Sequence, residues 1–140
     1  MGIDKGDVMS RRRAILMALL EKEAQYTILS EDLKNSSNWV NNKSWTASSP
    51  TAVYDYTGRC CYPIALSCNP TKSYMLKVIG TGSSFMYVRC LDADMNILST
   101  VYNNGAIIPI GTYYVVVFYV KTIDVLLANY SNQNPYFTEV

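Results

Sequence analysis

The sequence predicts a mainly β protein, an antiparallel β-sandwich of jelly-roll-like layout preceded by an N-terminal α-helix. Three observations carry that expectation. From Thr51 onward, apolar and polar residues alternate in short runs separated by Gly, Pro, Asn and Asp, the period-2 pattern of half-buried strands. The runs follow one another closely, without the helical crossovers that a parallel sheet needs. The first 25 residues are instead rich in Ala, Leu, Met, Glu and Lys, all good helix formers. The expected division is 1–48 as helical arm and connector, 49–130 as the β-sandwich domain, and 131–140 as a polar tail.

At the N-terminus, Arg11–Arg13 leads into Ala14–Leu20, which is closed at once by Glu21, Lys22 and Glu23. So short an apolar run, ended by charges, fits neither a secretory signal nor a bilayer span. A helix over about Val8–Gln25 fits better. Met9, Leu16, Leu19, Leu20 and Ala24 then share a face too broad for a lone surface helix, so it must lie against something. We expect an assembly interface at Arg11, Arg12, Arg13, Ile15, Leu16, Leu19 and Leu20. The arginines are a solvated face, a contact with an acidic partner surface or neighbouring subunit, which their place at the unfavourable end of the helix dipole suggests, or a contact with nucleic acid or anionic lipid.

Tyr26–Ser49 is a polar connector in which Glu31–Lys34 suits a helical turn and Asn38–Ser49 a loop or first edge strand. Its Trp39 and Trp45 are core plugs or, with Tyr54 and Tyr56, candidate stacking residues for a glycan. Ala52–Tyr56 reads as a strand, Thr57-Gly58 as a turn, and Arg59–Cys68 as a longer strand that Pro63 places at an edge or a bulge. Strands are expected again at Tyr74–Ile79 and in the hairpin Ser83–Thr100. There Phe85, Tyr87, Arg89 and Leu91 oppose Met86, Val88 and Cys90 across an Asp/Asn turn. Ala106–Pro109 is a short strand. Thr112–Val120, apolar on both faces, reads as a central strand with a core on one side and a helix or neighbouring subunit on the other. Ile123–Tyr130 continues the β pattern, and Asn134-Pro135 marks an extended arm.

Composition narrows the chemistry. The chain is 49% hydrophobic and 16% charged with a formal charge of +1, and residues 48–140 hold only five basic and five acidic side chains. Such a surface suits protein packing or sugar stacking better than direct capture of nucleic acid, which is not expected. The chain has no histidine, which excludes Ser-His, Cys-His and His-zinc chemistry. Cys60, Cys61, Cys68 and Cys90 lack C-x-x-C spacing, and the adjacent pair must point to opposite faces, so a zinc site is not expected; disulfides between strands stay open, with buried reduced thiols the default where no secretion signal is read. Asp92, Asp94 and Asn96 invite a calcium reading, but the loop glycine and closing glutamate are missing; turn formation explains the same residues. Of Asp55, Asp92, Asp94, Asp124 and Glu139, three fall at turns and one in the tail, with nothing to pair them across a cleft. Neither catalysis nor a cofactor or metal is expected.

One set of residues carries a resemblance: Trp39, then Gly58, Arg59 and Tyr62, then Pro70 and Tyr74, then MYVRCLDADMNILS, then Ile108, Pro109, Gly111 and Tyr113. This run, Trp39 to Val120, resembles the carbohydrate-binding-module-like β-sandwich of bacteriophage tail and fibre proteins. The opening MSRRRAILMA is similar to N-termini of tail and fibre proteins from phages of Gram-positive bacteria. The resemblance implies a sandwich fold and a virion setting more than it implies sugar binding, since Cys90 stands where the family often has an aromatic. The expected role is a non-enzymatic virion structural protein, a head decoration or fibre subunit or a tail component, assembled in the host bacterial cytoplasm. Its partners would be capsid or tail proteins and further copies of itself, a trimer among the options, with no membrane. The alternative is a module that recognises host cell-surface glycans.

Overall fold

Alternating β-branched and aromatic residues form strands wherever both the pattern and a partner are present. The computed structural model describes residues 10–16, 26–80, 85–130 and 135–140. Eight strands lie among them: β1 (Val40–Trp45), β2 (Val53–Ser67), β3 (Tyr74–Lys77), β4 (Met86–Leu91), β5 (Ile97–Tyr102), β6 (Ile107–Ile108), β7 (Tyr114–Tyr119) and β8 (Tyr136–Glu139). A five-stranded sheet runs β1-β2-β7-β4-β5 and a three-stranded sheet β6-β3-β8; every pairing is antiparallel. The protein is thus mainly β, with few helices. No described helix is long and apolar enough to cross a membrane.

The two sheets share one core. Cys60, Tyr62 and Leu66 of β2, Met86, Val88 and Cys90 of β4, and Val115, Val117 and Tyr119 of β7 meet Tyr74 and Leu76 of β3, Ile108 of β6 and Phe137 of β8. The opposite face of the large sheet holds a second cluster of Trp45, Cys61, Leu91, Val116 and Phe118. The hairpin β4–β5 forms as expected, with its two faces divided as the alternation required. At its corner the Asp92 carboxylate accepts hydrogen bonds from the backbone N–H groups of Asp94 and Asn96, each 2.9 Å, and Met95 takes a positive φ of 67°. Those amides hold the Asp92 carboxyl below the usual carboxylate range.

Several expectations give way. Thr57-Gly58 is not a reversal: β2 runs through it, with Gly58 at φ 90° and its N–H bonded to Asn42 Oδ1 at 3.1 Å. Asn42 itself, at φ 58°, marks a register shift in β1, so paired irregularities replace the turn. β2 is an interior strand, and the register slips between Tyr62 and Leu66 around Pro63, which resolves the edge-or-bulge alternative as a bulge. Ile123–Asn129 is an α-helix, here α1, with Asp124 in its first turn and Leu126 buried. The polar tail supplies β8, which pairs with β3 and buries Phe137. Residues 27–29, 31–34 and 36–38 form 3-10 turns, and Ser30 caps the second through the Asp32 N–H. Residues 10–16 are helical with exposed side chains; Leu19, Leu20 and the rest of the expected Val8–Gln25 helix lie outside the described residues.

Candidate functional site

Strand alternation decides which side chains leave the core. On β4, Met86, Val88 and Cys90 point inward, so Tyr87, Arg89 and Leu91 project from the outer face of the large sheet. Register then places Tyr87 opposite Phe118 of β7 and Tyr102 of β5, and Arg89 opposite Val116 and Thr100. The Tyr87 and Phe118 rings stack at 5.1 Å with 9° between their planes. Tyr102 leans on Tyr87 at 5.8 Å, and Phe85 meets both at 6.0 and 5.4 Å. A row of aromatic rings therefore crosses three strands.

Two arginines sit on that row. The Arg89 guanidinium carbon lies 4.8 Å from the centre of the Phe118 ring, and that of Arg59 lies 5.6 Å from the same centre and 4.0 Å from the centre of Tyr56. These are cation–π distances. Arg89 Nη1 donates to Thr100 Oγ1 at 3.0 Å, whereas its Nε is buried without an acceptor among the described residues. Burial pulls the Arg89 pKa below its ordinary value, and the neighbouring Arg59 charge acts in the same direction. Arginine nonetheless stays cationic at neutral pH. Asp55, four residues before Arg59, is held by Lys43, whose ammonium lowers its pKa, and Asp92, three residues after Arg89, is engaged by the amides of its own turn. No described carboxylate pairs with Arg59 or Arg89.

The expected stacking residues separate into two groups. Trp39 and Trp45 are only 4% and 5% exposed, and their indole N–H groups donate to the carbonyls of Leu33 and Tyr62, each at 2.9 Å. They are packing residues, because a buried indole with its one donor satisfied offers no face to a ligand. Tyr54 and Tyr56 are each 38% exposed and meet edge to face at 5.8 Å, beside Arg59. At the other proposed surface, Ile15 and Leu16 are 63% and 58% exposed, and Arg11, Arg12 and Arg13 accompany them on residues 10–16.

The sequence reading missed the site made by Arg59, Arg89, Tyr87 and Phe118. The signal was half visible, since the alternation already grouped Phe85, Tyr87 and Arg89 on one face. What joins them to Arg59 and Phe118 is the pairing of β7 between β2 and β4, a long-range event that periodicity does not encode. It also supplies the cover for the outer side of β7. Val116 and Phe118 are buried beneath Trp45, Leu91, Tyr87 and the two arginines, where a helix or neighbouring subunit was expected. Elsewhere a surface depression of about 360 Å³ is lined by Glu31, Lys34, Asn35 and Ser36; its Lys34 is engaged by Glu31 at 2.8 Å and lies over the Tyr136 ring. No protein-family model, curated protein or solved structure matches the chain.

Proposed function

We propose that the protein is a non-enzymatic structural component of a bacteriophage virion, a head decoration, fibre or tail subunit built on a jelly-roll-like β-sandwich. The nested pairs β4–β5, β3–β6 and β2–β7 support the jelly-roll layout, with β1 lying beside β2 rather than beside β8. The observation that carries the assembly role is residues 10–16, a helical segment that presents Ile15 and Leu16 to solvent next to Arg11–Arg13. Exposed large aliphatic side chains flanked by cations are what an unfilled protein interface offers. The helical segment and the β-sandwich bind other virion proteins and further copies of the chain, in the virion after assembly in the host cytoplasm.

Light scattering across a wide concentration range tests this. The expected result is an oligomer that the double substitution Ile15→Asp, Leu16→Asp shifts toward monomer without lowering the unfolding midpoint. A wild-type chain that stays monomeric throughout overturns self-assembly. A second reading, recognition of host cell-surface glycans, draws on a different observation: Tyr54 and Tyr56 stand exposed beside Arg59, and sugars are held by rigid aromatic faces with adjoining polar groups.

A further inference from the structure

We propose that Arg59 and Arg89 form an anion-binding site for the carboxylate or phosphate groups of a charged polysaccharide, whose sugar rings lie on Tyr54 and Tyr56. The inference rests on the glycan reading of this face and adds to it the charge of the ligand and the residues that read that charge.

Two guanidiniums are held against one Phe118 ring, 4.8 and 5.6 Å from its centre. Neither is neutralised by a described carboxylate. Partly desolvated like charges oppose one another, and an anion placed between them relieves that repulsion. The donors to receive it are present: the Arg59 guanidinium makes no hydrogen bond among the described residues while resting on Tyr56, and the Arg89 guanidinium commits Nη1 alone, to Thr100. Guanidinium forks match the paired oxygens of carboxylate and phosphate, which a single ammonium does not.

The shape of the surroundings favours a polymer of sugars. Tyr54, Tyr56 and Arg59 follow one another along β2, while Phe118, Tyr87 and Tyr102 form a row across the strands. The two cations and the exposed rings of Tyr54, Tyr56 and Tyr102 thus lie along a track on a rigid sheet, with the buried Phe118 ring beneath the cations. A chain of rings with charges at regular spacing engages such a track at several points.

The test is calorimetric titration with dextran, carboxymethyl dextran, dextran phosphate and polyglutamate, using wild type and the variants Arg59→Gln, Arg89→Gln and Tyr56→Ala. Unfolding midpoints are recorded for every variant, and Arg59→Gln keeps the test decisive should Arg89→Gln fail to fold. The expected result is that at least one charged dextran binds and neutral dextran binds far more weakly. Each arginine variant then loses about tenfold in affinity for the charged polymer, and Tyr56→Ala weakens the charged and neutral polymers alike. The carboxymethyl and phosphate arms distinguish the two anions. Equal binding of neutral dextran, unaffected by either arginine change, overturns the anion site and leaves the glycan reading standing. Preference for polyglutamate assigns the face to an acidic protein segment and overturns the proposal. No binding by the folded wild type overturns both the site and the glycan reading.

Discussion

Cys60 and Cys61 are neighbours in sequence yet belong to the two opposite faces of one sheet, and neither is exposed. This much was legible from strand period alone, because consecutive side chains must alternate. Burial raises both thiols, Cys60 to about 12 and Cys61 to about 11 from an ordinary value of 9.0. The unfolded chain therefore releases these protons first, so their stabilising contribution is complete below about pH 9 and fades as pH rises through 11 to 12. Tyr62 and Tyr74, also raised chiefly by burial, act in the same direction. Urea midpoints should fall between pH 8 and pH 10.5, and a thiol reagent at pH 8 should label the cysteines only in the unfolded chain; fast labelling of the native protein would contradict their burial. The tryptophans were less legible. Sequence showed two indoles in a polar connector and could not show that both N–H groups find backbone carbonyls, which is what turns them inward.

At the scale of elements, the hairpin β4–β5 was readable because its strands, its turn and its pairing are all local. α1 was not. Ile123 and Val125 prolong the β pattern, whereas Leu126, Leu127 and Ala128 favour helix, and the choice falls to packing: Leu126 enters the core and the Ile123 N–H donates to Asn41 Oδ1 at 2.8 Å. Two glycines distinguish conformational from steric demands. Gly58 holds a positive φ of 90° with open space around it, whereas a Cβ on Gly80 would overlap the Asn129 carbonyl and the Tyr130 ring at the end of α1. Gly58→Ala should cost about 1 kcal/mol, the left-handed penalty alone. Gly80→Ala should cost about 3 kcal/mol, because backbone must move. Denaturant titration of both variants gives the comparison, and equal losses would refute the close approach at Gly80.

For the molecule as a whole, the mainly β class and the antiparallel pairing were legible, but the strand count and the distribution of strands between sheets were not: β2 runs through the expected turn, Ile123–Asn129 is helical, and the tail supplies a strand. The tail reads as polar because Ser131, Asn132, Gln133, Asn134, Thr138 and Glu139 surround Tyr136 and Phe137, yet those two residues pair in register with Lys77 and Leu76 and close the small sheet. Phe137→Ala should therefore destabilise the entire protein, by about 3 to 5 kcal/mol, in one cooperative transition. A separate early melting phase, with the large sheet unaffected, would show instead that β8 is an appendage.

The position of β7 also sets the order of events in folding. It fills the gap between β2 and β4, strands formed from sequence well before it, so β2 cannot complete its ladder while the chain is being synthesised in order. Until Tyr114–Tyr119 arrives, only the hairpin β4–β5 and the β1–β2 pair are available as local structure, and the apolar edge of β2 remains uncovered. Topologies dominated by such distant pairings fold on the order of milliseconds to seconds rather than microseconds. The strand that anchors the aromatic and arginine face is thus also the one whose late insertion limits how fast, and at what concentration, the chain escapes aggregation.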